Sequence, residues 1–326
     1  MNFSAGESNV TVVLMQRDTF ETALIKNIIV VALSLSINYI NSMLVHTFTK
    51  HQVFKTNPRY ILFIHLVVND MLQLTLACLL HVLSYILFTL NVSFCCFLLV
   101  TAIFTTFNTP VNLATMAIER YIAVCIPLRH AQICTVQRTY ITISLIWVLT
   151  ALPILPDVFI LVANEPLSFF SSRIFCHLEN LFRNPFIIER NNTSLYVFLA
   201  LVWLTLLYTY LSIMFAARAA SGDARKARNT ILLHGLQLLL CTFTYVHSLL
   251  QSRLLQIFPT KLLDIRFASY VIVQIIPRFI SPIVYGLRDQ TFRKHLKGYL
   301  LCRVNASTYP NNDTLFKISG REKILL

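Results

Sequence analysis

Between Tyr60 and Ile118 the chain carries a single formal charge, Asp70. A soluble fold is hard to build from such a run, because a globule needs a charged coat wherever it meets water. About 20 apolar residues are enough to cross the hydrocarbon core as a helix. This run is too long for one crossing and suits two, broken near Thr89–Phe94 where Asn91 and Ser93 interrupt it. Composition agrees: 56% of the 326 residues are hydrophobic and 13% charged, against about 25% charged in ordinary soluble domains. The solvent that tolerates this surface is lipid.

The same criterion predicts seven crossings. Helix 1 is expected over Asn27–Thr49, helix 2 over Arg59–Phe88, helix 3 over Cys95–Val124 and helix 4 over Tyr140–Leu161. Helix 5 is expected over Ser194–Ala217, helix 6 over Thr230–Leu250 and helix 7 over Phe267–Leu287. The predicted fold is an all-α membrane protein, a seven-transmembrane helix bundle. Residues 1–26 form its outer N-terminal segment, 27–288 the bundle, and 289–326 an amphipathic helix and cytosolic tail. The first 27 residues hold Glu7, Arg17, Asp18, Glu21 and Lys26 and no apolar run of signal-peptide length, so helix 1 serves as its own insertion signal.

Orientation follows from the loops. Lys50, Lys55 and Arg59 follow helix 1, Arg129 and Arg138 follow helix 3, Arg218, Arg225, Lys226 and Arg228 follow helix 5, and Arg293, Lys294 and Lys297 follow helix 7. The helix 4–5 loop instead offsets Arg173, Arg183 and Arg190 with Glu165, Glu179 and Glu189. Positive-inside placement puts the N-terminus outside and the C-terminus in the cytosol. It also explains the net charge of +13 without nucleic acid, through contact with anionic lipid. Glycosylation triplets at Asn2, Asn9, Asn91, Asn191 and Asn192 all fall on the outer side; those at Asn305 and Asn312 fall in the tail, where they go unused.

A charge in mid-span costs about 2.5–3.5 kcal/mol on insertion scales, so Asp70 needs a reason. It reads as a polar hub, with Asn41, Thr109 and Ser281 as oxygen partners and a sodium ion as a candidate occupant. Glu119-Arg120-Tyr121 stands at the cytosolic end of helix 3. Cys95 and Cys176 both face the oxidising side, where a disulfide would tie the outer loop to helix 3, with Cys96 as a competing partner. Past helix 7, Phe292, Leu296, Tyr299 and Leu300 share one helical face opposite Arg293, Lys294 and Lys297. That suits a short helix on the inner leaflet, with Cys302 at its end as a palmitoylation site. No HExxH, Walker loop, GxSxG or paired CxxC is present in the sequence, so no enzymatic activity is expected.

The segment Met116-Ala117-Ile118-Glu119-Arg120-Tyr121-Ile122-Ala123-Val124-Cys125-Ile126-Pro127-Leu128 resembles the signature MAYDRYVAICxPLxY. That signature belongs to the odorant receptors, among the rhodopsin-like G-protein-coupled receptors, and the likeness here is to a fish-type branch. His130 stands near the usual final tyrosine. Lys226-Ala227, Thr230 and His234 match KAxxTxxxH, and Pro282 to Asp289 resembles the PxIYxLRN ending of helix 7. Ser281 departs from the usual Asn, and helix 6 lacks its proline kink.

The resemblance implies a small, mostly apolar odorant bound within the bundle and a heterotrimeric G protein of the stimulatory, cyclic AMP type as partner. Ala102 stands where amine receptors carry Asp, and Ile275 where opsins carry the retinal lysine. The implied pocket is Ala102, Ile103, Thr106, Phe107, Tyr245, Val271 and Gln274. The implied switch is Glu119, Arg120, Tyr121, Tyr210, Lys226, Pro282 and Tyr285, with Arg120 restrained at rest by Glu119. Two alternatives stand beside it: a receptor of this fold for a peptide, lipid or nucleotide, and a polytopic transporter, for which no paired half-repeats are found.

Overall fold

The architecture comes from a computed structural model that describes residues 19–87, 89–182, 185–219 and 262–280, with 235, 236, 239 and 242 of helix 6. Helix 1 runs Phe20–Lys50, helix 2 Pro58–Ile86 and helix 3 Val92–Cys125. Helix 4 comes in two pieces, Val136–Ala151 and Leu155–Asn164. Helix 5 spans Pro185–Ala219. Helix 7 begins with Leu262–Ser269, passes through a π-helical stretch Tyr270–Ile275, and stays helical to residue 280. Among the described residues, five helices are long and apolar enough to cross a membrane, and Phe267–Ile280 of helix 7 is a shorter apolar piece.

Side-chain caps set several helix starts. Thr19 accepts the amide of Thr22 ahead of helix 1, Asn57 that of Arg59 ahead of helix 2, and Asn91 that of Ser93 ahead of helix 3. Each satisfies an amide that has no partner within its own helix. Pro58 at the first turn of helix 2 fits for the same reason, since its missing N–H would be unused there.

Three expected boundaries need correction. Helix 1 starts at Phe20, not Asn27, so the outer segment of residues 1–26 gives its last turns to the bundle. Helix 5 starts at Pro185, not Ser194, which places Asn191 and Asn192 in helical turns and not in a loop. In both cases charged residues marked the expected edge, yet they sit inside the helix because they are paired. Lys26 Nζ lies 2.7 Å from Asp264 of helix 7, and Arg190 is bridged to Asp157 of helix 4. Helix 4 breaks around Pro153, whose ring cannot continue the hydrogen-bond ladder.

Helix 3 is the central strut, packed on helix 2, helix 4 and helix 5. The largest core cluster gathers Leu44, Phe54, Leu62, Leu66, Leu113 and Leu206. A second cluster, Val92, Leu161, Phe169, Leu181 and Phe182, lies under the outer loop. A third, Val30, Ile37, Leu74, Tyr270 and Ile275, joins helices 1, 2 and 7. Leu204, Leu207, Tyr208, Leu211 and Phe215 of helix 5 stay exposed. In water that patch would be an aggregation hazard, whereas in lipid it is the expected outer wall.

Asn2, Asn9, Lys226, Tyr245, Ser281, Pro282, Tyr285 and Cys302 lie outside the described residues, as does the expected amphipathic helix.

Candidate ligand chamber and cytosolic switch

The outer end of helix 3 is fastened to the loop above it. Strand β1 (Leu90–Asn91) pairs antiparallel with β2 (Arg173–Ile174). The Val92 amide donates to the Ser172 carbonyl at 3.1 Å, and Ser93 Oγ to the Phe170 carbonyl at 2.9 Å. Cys95 and Cys176 are joined by a disulfide, and Cys96 is a free thiol. The alternative pairing through Cys96 is thereby excluded.

Below this lid, Ala102, Ile103 and Thr106 share one face of helix 3 at helical spacing. The opposite face carries Phe97, which is exposed, and Phe104, whose ring lies 5.0 Å from that of Trp147 in helix 4. Ala102, Ile103 and Thr106 therefore face away from helix 4, and each is partly exposed. Phe107 is buried, with its ring 5.7 Å from Phe198 of helix 5. Val271 and Gln274 stand on the π-helical stretch of helix 7. Such single-turn irregularities are frequent at functional positions. His81 joins this wall, its ring 4.8 Å from Tyr270 and 5.1 Å from Tyr85.

A polar seam runs down from the chamber between helices 2 and 3. Gln73 Nε2 donates to Thr106 Oγ1 at 2.5 Å. Asn69 Nδ2 donates both to the Thr105 carbonyl and to Thr109 Oγ1, each at 3.0 Å. Asn112 Nδ2 reaches the Leu62 carbonyl at 3.3 Å, and His65 stacks edge-on to Trp147. Asp70 and Asn41 are buried beside the seam, Asn41 with neither amide atom partnered. Thr109, an expected oxygen partner of Asp70, accepts a hydrogen bond from Asn69.

At the opposite end of helix 3, Glu119 is buried and faces Arg120 and His130. Arg120 Nε lies 3.6 Å from its Oε2, and His130 Nε2 lies 3.3 Å from its Oε1. His130 is carried back to Glu119 by the short helix Pro127–Ile133. The Tyr121 ring stands 5.8 Å from Tyr208 of helix 5. Tyr210 lines a cleft of about 290 Å³ between helices 5 and 6 with Trp203, Leu206, Gly235 and Leu239. Beside the switch, burial and then the Glu119 carboxylate push the Cys134 thiol above its ordinary range, which keeps it protonated and unreactive.

Residues 40–285 match the 7 transmembrane receptor (rhodopsin family) profile. The chain belongs to that family. It is 30% identical over 271 residues to Odorant receptor 131-2 of Danio rerio, covering 82% of this chain and 83% of that one. It is thus an odorant-receptor-like, fish-type member of the rhodopsin-like receptors, a multi-pass membrane protein and not an enzyme.

Within this receptor the structure brings together Ala102, Ile103 and Thr106 on one inward face, and Glu119 with Arg120 at the inner end. It adds residues that inspection of charge alone passes over. His65, Asn69 and Gln73 recur at i, i+4 and i+8, a polar stripe on helix 2 visible in the sequence once uncharged polar residues are counted. The bond between His130 and Glu119 needs the intervening turn and has no sequence signature.

Proposed function

We propose that this receptor binds a small, mostly apolar odorant in its outer half and activates a heterotrimeric G protein through the cyclic AMP pathway. The observation that carries the reading is the likeness to an odorant receptor along most of both chains. The inward face of Ala102, Ile103 and Thr106 supports it, being mostly apolar with few hydrogen-bonding groups, as small-molecule pockets are. Ala102 offers no carboxylate for an ammonium group. Ligand that favours one arrangement of the helices shifts the population towards it, and a ligand indifferent to the arrangement gives no signal. In the favoured state Arg120 leaves Glu119 and meets the G-protein tail, with Tyr210 and Tyr285 packing into the opened space.

Asp70 anchors the polar hub of this mechanism. Its neighbours offer oxygen donors, among them the unpartnered Asn41 side chain, a donor set that suits a hard cation such as sodium. The N-terminus outside, glycans at Asn2, Asn9, Asn191 and Asn192, and palmitate on Cys302 complete the proposed placement in the plasma membrane.

The test is an odorant panel with cyclic AMP readout on cells displaying the receptor. Odorant-dependent cyclic AMP that vanishes in Arg120→Ala at equal surface display is the expected result. Signal retained in Arg120→Ala would overturn the switch, and ligand uptake without signal would favour a transporter.

A further inference from the structure

The three buried amides of the helix 2–3 seam share an asymmetry. Each commits its NH2 to the neighbouring helix and turns its carbonyl oxygen elsewhere, and Asn69 Oδ1 and Gln73 Oε1 are left without a partner. A buried acceptor left unmade is a standing cost that a native structure carries for a reason. Gln73 is the outermost of the three. Its anchor, Thr106, stands on the inward face with Ala102 and Ile103, while Asn69 and Asn112 are tied to the seam below.

The orientation of the Gln73 amide follows from its surroundings. The Thr106 hydroxyl donates its proton to the Ala102 carbonyl at 2.7 Å. Its oxygen can then meet only a donor, so Gln73 must present Nε2 to Thr106 and turn Oε1 away. The Gln73 side chain is 4% exposed, so water does not reach that oxygen in bulk. On helix 7, Gln274 also has a buried Oε1 without a partner.

We propose that Gln73 Oε1 is the ligand's hydrogen-bond acceptor, so that the receptor selects apolar molecules carrying a donor, a hydroxyl or N–H, over isosteres carrying only an acceptor. The inference rests on the reading of the outer half as the ligand chamber. An alcohol completes the amide and relieves the open acceptor. An aldehyde or ether of the same size sets lone pair against lone pair and leaves Gln73 unpaired, the kind of mismatch that polar sites discriminate against most strongly. Thr106 acts as a positioning residue, because it decides which end of the amide the ligand meets.

The experiment uses the full receptor at the cell surface and three probe sets: the primary alcohols from butanol to decanol, the matching aldehydes, and the methyl ethers of equal length. Alcohols should act at about tenfold lower concentration than their aldehydes, the worth of one hydrogen bond. Gln73→Leu should weaken the alcohols and, by removing the opposed lone pair, let the aldehydes gain, so that the tenfold gap closes. Thr106→Val frees the amide to turn, and should close the gap from the other side as aldehydes gain. Should Gln73→Leu fail to reach the surface, Thr106→Val decides alone. Equal potency of the three sets, or a gap that persists in the variants, overturns the inference while sparing the odorant reading. Silence to all three sets in displayed receptor counts against the odorant reading itself and takes this inference with it.

Discussion

The two ends of helix 3 are held by different kinds of bond. At the outer end a disulfide, a short strand pairing, an asparagine cap and a serine-to-carbonyl bond all act on residues 90–95. At the inner end the restraint is a carboxylate shared between Arg120 and His130, with a tyrosine pair beside it. The first set breaks only with covalent chemistry or unfolding. The second is made of side-chain contacts, each of about 1 kcal/mol, which thermal motion and a partner protein can exchange. A strut fixed outside and loosely held inside can transmit a change in the chamber without losing its place.

The largest effect should come from the fixed end. The Cys95–Cys176 bridge spans a sequence separation of 81 residues, and closing a loop of that size stabilises by about 4–5 kcal/mol in the chain-entropy account. Cys95→Ser and Cys176→Ser should each abolish surface delivery, and the double variant should be no worse than either single one. Additive losses on surface labelling would show that the two cysteines act separately.

Next in size is the Asp157–Arg190 bridge, which fastens the outer ends of helices 4 and 5. Asp157 is 1% exposed. Arg190→Ala would leave that acid buried and unpaired, a loss of about 3 kcal/mol. The partly exposed Arg190, by contrast, can turn to water in Asp157→Asn. Thermal unfolding in detergent should therefore rank Arg190→Ala below Asp157→Asn, and the reverse order would remove the bridge from the account.

Those charges also explain what could be read from the sequence. The spans were legible because their length and apolarity are set by lipid, and the disulfide because its two thiols fall on the same side of the expected topology. The starts of helices 1 and 5 were not, since Lys26, Glu189 and Arg190 look like edges until their helical placement and the partners of Lys26 and Arg190 are seen. The partner of Lys26, Asp264, lies 238 residues away, and that of Arg190 lies on the preceding helix across the intervening loop. The polar seam was present in the letters as His65, Asn69 and Gln73, hidden because none of them carries a formal charge at neutral pH. Helix 4 shows the opposite case: Pro153 announces the break, and a search by hydropathy alone runs straight across it.

At the loosely held end, Glu119→Gln keeps the shape of the side chain and removes its charge. The contacts to Arg120 and His130 weaken together, by about 1 kcal/mol. Basal cyclic AMP should rise about fivefold at equal surface display. An unchanged baseline would mean that Arg120 is restrained elsewhere.

The smallest predicted effect separates the two partners of Glu119. His130 reaches Glu119 from the turn after helix 3, so it holds the carboxylate in place without itself belonging to the strut. His130→Gln can still donate one hydrogen bond to Oε1 but loses the chance of a charged pair, which at this half-exposed position is worth about 0.5 kcal/mol. Basal signalling should rise about twofold, with the same sign as Glu119→Gln and a smaller size. Because both substitutions act on one contact, the double variant should match Glu119→Gln alone. If the two increments multiply instead, His130 works through a partner other than Glu119, and this end of helix 3 has two independent restraints.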